Sequence, residues 1–168
     1  MPLVPFPSLP DDARCWVFGA LGPLDDVDQG RLLVAVDAYL TKWTAHGTPL
    51  TCGREFREEF FLAVGVDERA SNASGCSIDG LFTVLQGIEK GIGTTMVGGG
   101  LVHFRDRGRL VHSCTRLQFE VMARGGEVDG ETIVFDTTLT TVGAYRARFS
   151  QPARATWHAQ LLAPQARK

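Results

Sequence analysis

The spacing of apolar and polar positions divides this chain into short, punctuated elements. Arg14-Cys15-Trp16-Val17-Phe18-Gly19 is apolar and β-rich, and Gly22-Pro23 closes it, which predicts a buried strand. Asp25 and Asp26 can cap a helix. Leu32, Val36, Tyr39, Leu40 and Trp43 recur at helical spacing until Gly47 and Pro49, so the pattern predicts a helix ending near His46. Leu50, Cys52, Arg54 and Phe56 alternate, Arg57-Glu58 offers a polar turn, and Glu59 to Val66 follows, predicting two antiparallel strands. After a polar loop, Ile78, Leu81, Phe82, Leu85, Ile88 and Ile92 form a stripe that predicts a second helix, ended by Gly91 and Gly93. Leu101 to Arg105 and Arg109 to His112 flank Asp106-Arg107-Gly108 as a hairpin. Leu117, Val121 and Met122 suggest a short helix, and Thr132 to Phe135 a brief strand.

The order strand, helix, strand, strand, helix, strand is that of an α+β, ferredoxin-like βαββαβ sandwich. It would occupy residues 13–105 of a single domain spanning 1–168. An extended arm, 1–12, would precede it, and a hairpin and helix extension, 106–168, would dock back through Tyr145, Phe149 and Trp157. Trp16 and Trp43 are expected in the core.

Composition narrows the classes of function. At 168 residues, 44% hydrophobic and 21% charged, the chain can bury a core without a disulfide or metal staple. No apolar run is long enough to span a bilayer, so no membrane role is expected. The proline-rich start lacks the pattern of a secretory signal, which leads to an expectation of a cytoplasmic protein with Cys15, Cys52, Cys76 and Cys114 as free thiols. A formal charge of −2 argues against nucleic acid as a partner, although Tyr145, Arg146, Arg148, Phe149 and Arg154 form a small basic and aromatic cluster. The cysteines and histidines have no metal-ligand spacing; His103 and His112 read as ordinary cross-strand side chains, and neither a metal nor a cofactor is expected.

Ser74-Gly75-Cys76-Ser77-Ile78-Asp79 concentrates the candidate chemistry. A cysteine at a helix N-terminus faces unpaired N–H groups and the positive end of the helix dipole, which favour thiolate. In the expected topology the end of the first helix and the start of the second share one end of the sheet, so His46, Asp67 and Asp79 would join Cys76 as base and orienting carboxylates. Ser74, Gly75 and Ser77 would receive a small anionic ligand on backbone amides. The competing reading gives every residue of the loop a structural role, with Ser74 or Ser77 as cap, Gly75 for the turn, Asp79 for the dipole and Cys76 as a small apolar filler.

Trp43-Thr44-Ala45-His46-Gly47, Ala73 to Asp79, Thr132-Ile133-Val134-Phe135, Pro152-Ala153 and Trp157-His158 resemble an uncharacterised bacterial family common in Bacteroidetes. Its members often carry the label "ABC transporter ATPase". A Walker site needs a lysine and a hydroxyl after its second glycine, and neither Gly87 to Thr95 nor Gly98-Gly99-Gly100 has that lysine. The resemblance therefore implies no activity. Two functions stand beside each other: a small-molecule or anion-binding protein, with thiol-dependent catalysis as its enzymatic form, and a non-enzymatic interaction or assembly module. The second is motivated by the open sheet face or edge of the expected fold, which a partner or a second copy in a homodimer would cover.

Overall fold

Apolar residues on both faces of one strand require cover on both sides, and β5 (Phe61–Asp67) has buried residues from Phe61 through Val66. The computed structural model, which describes residues 3–162, shows what covers them. The chain forms two compact units, one made of residues up to Gly99 with Thr137–Ala147, the other of Gly100–Asp136 and the residues from Arg148 on.

In the first unit β1 (Arg14–Gly19), β5 and β4 (Thr51–Arg57) form an antiparallel sheet in the order β1-β5-β4. Helix α1 (Asp26–Leu40) starts at Asp25, whose carboxylate accepts from the Asp28 N–H at 2.8 Å. Helix α2 (Gly75–Ile92) starts at Ser74 and ends at Gly93, which takes the left-handed conformation usual for a glycine at this position. Both helices pack on the face that carries Trp16, Phe18 and Arg54. Phe18 meets Phe82 of α2 edge to face at 5.4 Å, and Arg54 grips Asp37 of α1 through two bonds of 2.8 and 2.7 Å.

The opposite face is built around small residues. Cys15, Gly65 and Gly53 are direct partners across the three strands, so they form one row on that face. The N-terminal segment and residues 137–147 lie over it. A Cβ on Gly53 would stand 2.6 Å from the Val4 carbonyl oxygen, and one on Gly65 would stand 2.6 Å from Leu9 Cδ1 and 2.9 Å from Val142 Cγ2. Helix α4 (Val142–Arg148) carries Arg146, which holds the N-terminal segment by pairing with Asp11 and donating to the carbonyls of Pro7 and Leu9 at 2.9 and 2.8 Å. The open sheet face expected from the sequence is thus covered by the chain itself.

The expected sixth element does not complete this sheet. Thr140 and Thr141 lie along the free edge of β1, through an Arg14–Thr141 bridge and a bond from the Cys15 N–H to the Thr140 carbonyl. Strand β6 (Leu101–Arg105) belongs to the second unit, whose antiparallel sheet runs β7 (Val111–Thr115), β6, β8 (Ile133–Phe135), β9 (Ser150–Pro152). Helix α3 (Arg116–Arg124) begins on a capping box between Thr115 and Gln118. Its Phe119 and Ala123 enter a core with Val102, Phe104, Val128, Val134 and Leu161. The architecture is therefore α+β with separate antiparallel sheets, and the boundary expected after residue 105 falls after residue 99.

The first helix also stops earlier than expected. It ends at Leu40, and Trp43 turns inward to 2% exposure before β2 (Thr44–Ala45) and β3 (Thr48–Pro49) pair as a small hairpin. His46 and Gly47 form its two-residue turn, both with positive φ (51° and 81°). Gly47, which the sequence offers as a helix stop, is half of a hairpin turn.

Candidate functional site

The start of α2 is stitched together by its own side chains. Ser74 Oγ accepts from the Ser77 N–H at 3.2 Å, and the buried Ser77 hydroxyl donates back to the Ser74 carbonyl at 2.8 Å. The Ser77 carbonyl accepts from the Tyr39 hydroxyl at 2.6 Å and from Trp43 Nε1 at 2.9 Å. Gly80 lets the Tyr39 ring come close, since a Cβ there would lie 2.3 Å from the phenol oxygen. The end of α1 and the start of α2 do share one end of the sheet, but aromatic donors fill the junction.

The expected catalytic members are dispersed in their bonding. Cys76 is exposed, and neither its thiol nor the exposed His46 imidazole makes a hydrogen bond or ion pair among the described residues. Asp67 is held by the Arg69 guanidinium at 2.6 to 3.1 Å, and that bonding keeps its carboxyl below the usual carboxylate range. Asp79 is exposed in the first turn, where its carbonyl accepts from the Thr83 hydroxyl. Gly75, the first residue of the helix, is exposed, and Ser74 caps the helix by accepting from the Ser77 N–H. The other thiols are less available: burial pushes Cys15 and Cys52 up to about 12 and Cys114 up to about 11.

The second unit carries a different surface, which sequence spacing did not reveal. His112 stands opposite Phe104, whereas His103 pairs with Ser113, so the two histidines face opposite sides of the hairpin. Instead, His112 Nε2 binds Asp106 Oδ2 at 2.6 Å, and this bond draws the Asp106 carboxyl down. Among the described residues no three His, Cys, Asp or Glu side chains are placed to hold a metal.

Two cavities of about 550 Å³ each share Phe104, His112 and Met122 in their walls. One is charged, with Arg107, Asp106, Glu127 and Asp129 in its walls; the other is apolar, between β7 and α3. The apolar one is lined by three consecutive strand residues, His112, Ser113 and Cys114, and by Leu117, Val121 and Met122. Side chains of consecutive strand residues point to opposite faces. Phe104 of β6, the direct partner of His112, lines it too, so the cavity reaches the sheet face that carries both rings. Strand β7 is the edge of its sheet, and Leu117 and Val121 beside it are 66% and 56% exposed. Four members of the basic and aromatic cluster of the tail have structural places: Tyr145 and Phe149 are core residues, and Arg146 and Arg154 pair with Asp11 and Glu131, while Arg148 is exposed.

Fold and surfaces together define an α+β protein of two antiparallel-sheet units, in which no described helix is long and apolar enough to cross a membrane. Comparison of the chain with protein-family models, curated proteins and solved structures yields no match.

Proposed function

We propose that this protein is a non-enzymatic binding module whose contact surface is the groove between β7 and α3. The observation that carries this reading is the position of β7 at the end of its sheet, beside exposed Leu117 and Val121. A strand at the end of a sheet offers backbone donors and acceptors, and natural sheets usually blunt such strands with charge, proline or a bulge. Val111-His112-Ser113-Cys114-Thr115 has no proline, lysine or carboxylate. A cavity of about 550 Å³ with a mostly apolar lining also falls in the size range of ligand sites. A cytoplasmic setting, in which the four free thiols stay reduced, belongs to the same reading.

The test is a screen of small fragments and short peptides monitored by amide resonances of the labelled protein. Perturbations concentrated in residues 111–122 are expected. Hits that map only to the start of α2 would refute the assignment.

The exposure of Cys76 favours a second reading, in which the α2 N-terminus receives a small anionic ligand or uses the thiol on a substrate. It predicts that an alkylating agent modifies Cys76 well below pH 8 and ahead of Cys15, Cys52 and Cys114. A slow reaction at Cys76 up to pH 9 would remove thiolate catalysis from consideration.

A further inference from the structure

Resting on the groove reading, we infer that the ligand is a free α-amino acid with an apolar side chain, held with that side chain in the apolar cavity and its zwitterionic head in the charged one. The two cavities differ in chemistry. No lysine, arginine, aspartate or glutamate lines the cavity between β7 and α3, where Phe104, Leu117, Val121 and Met122 supply an aromatic and aliphatic surface. It suits an uncharged group. In the adjoining cavity Arg105 and Arg107 share the walls with Asp106, Glu127, Asp129 and Glu131.

Most of these charged groups already have partners. Asp106 binds His112 at 2.6 Å, Glu131 pairs with Arg154, and the Asp129 carboxylate accepts from the N–H groups of Glu131 and Thr132 at 2.8 and 3.2 Å. Arg105 donates to the Arg109 carbonyl at 3.0 Å and lies over the Phe135 ring. Two groups remain. Arg107 donates to the Gly126 carbonyl at 3.2 Å and has no carboxylate partner among the described residues; the carboxylate of Glu127, the next residue after Gly126, makes no hydrogen bond or ion pair among them. A guanidinium and a carboxylate thus line one cavity without pairing with each other. A zwitterion answers both: its carboxylate takes the two-pronged contact that a guanidinium offers, and its ammonium goes to Glu127. A ligand of single charge would leave one of them unanswered.

Backbone bonding sets this head beside the apolar cavity. The Glu127 N–H donates to the Met122 carbonyl at 2.9 Å, so Glu127 adjoins a residue that lines both cavities. Of the three residues the cavities share, only Phe104 is buried; His112 is exposed and Met122 half-buried, and a methionine adapts readily to what packs on it.

The experiment titrates the full chain, isotopically labelled, with L-phenylalanine. Three comparison compounds each lack one feature: phenethylamine the carboxylate, 3-phenylpropionate the ammonium, and serine the apolar side chain. Saturable amide shifts should appear together at Arg107 and Glu127 and along Leu117 to Met122. Each comparison compound should bind weaker by a factor of about ten or more, the loss expected for one charge-assisted bond or one buried apolar side chain. Arg107→Gln should abolish the preference for phenylalanine over phenethylamine, and Glu127→Gln the preference over 3-phenylpropionate. Both residues are exposed, so amide signals away from the substituted positions should be unchanged.

Phenethylamine or 3-phenylpropionate binding as tightly as phenylalanine would overturn the zwitterion, and serine doing so would overturn the part given to the apolar cavity. Preferences that survive both substitutions would overturn the placing of the head at Arg107 and Glu127. If fragments perturb residues 111–122 but phenylalanine does not, the groove reading survives and this inference fails; if nothing perturbs them, both fail.

Discussion

Gly53→Ala and Gly65→Val should each lower the stability of the first unit by about 3 kcal/mol or more, the upper end of what overpacking costs. At Gly53 the obstruction is a backbone atom: the new methyl would meet the Val4 carbonyl at 2.6 Å, and a carbonyl cannot rotate away as a side-chain tip can. The N-terminal segment would have to lift, giving up the bond from the Val4 N–H to the Cys52 carbonyl and the burial of Phe6 and Leu9. At Gly65 the isopropyl group would invade Leu9, Val142 and Phe6 together. Gly30→Ala in α1 and Gly87→Ala in α2 are the controls, because a Cβ there meets nothing within 4 Å. In helix interiors they should raise stability by about 0.5–1 kcal/mol. Urea unfolding of the four variants decides the matter: equal, small effects at all four sites would show that the covered face tolerates side chains and that the row has no packing role.

Acid should loosen the second unit through His158. This imidazole is 1% exposed, bonded through Nδ1 to the Thr156 hydroxyl at 2.8 Å and stacked on Trp157 at 3.9 Å. Burial pushes its pKa down to about 4; nearby Asp136 opposes the shift, and Arg116 and His103 reinforce it. The folded value lies below the ordinary 6.5, so the unfolded chain takes up the proton first. Stability from keeping the ring neutral is therefore complete above pH 6.5, is lost as pH falls toward 4, and amounts to about 3 kcal/mol once lost. Unfolding followed through amide signals of β6 and α3 at several pH values between 7.5 and 4 should show the decline. His158→Gln cannot titrate and should flatten the profile in that window from a lower starting stability. A variant that declines as steeply as the parent would assign the acid sensitivity elsewhere.

The elements that the sequence made legible are those whose signals are local. Helix α2 combines an apolar stripe, a serine cap and a terminal glycine, and the β6–β7 hairpin combines two β-rich runs with an Asp-Arg-Gly turn. Local signals also explain the errors. Trp43 continues the helical spacing of Tyr39 and Leu40, yet it lies beyond the helix and reaches the same neighbourhood from a turn. Nothing within Leu101–Arg105 states which sheet it will join, because pairing is decided by distant partners.

The candidate sites divide in the same way. Ser74 as a cap was readable from its type and position; the closing of the junction by Tyr39 and Trp43 needed tertiary structure. Leu117 and Val121 mark a helix by their spacing, but in nine residues the spacing does not say which side is buried, and Phe119 and Ala123 take the core. Gly53 and Gly65 did carry a usable signal, since an isolated glycine inside a strand often marks the close approach of another backbone.

The interleaving of the two units bears on the order in which a ribosome delivers them. Residues 137–147, which help cover the first sheet, emerge only after the whole of 100–136 has been made. At about 5–20 residues per second the nascent sheet waits roughly two to seven seconds with its glycine row covered by the N-terminal segment alone. Arg146 is synthesised ten residues after that interval ends and closes over a segment made well before it began. The first unit is thus finished late in translation, and a chain interrupted near residue 100 leaves the ribosome with its first sheet half roofed.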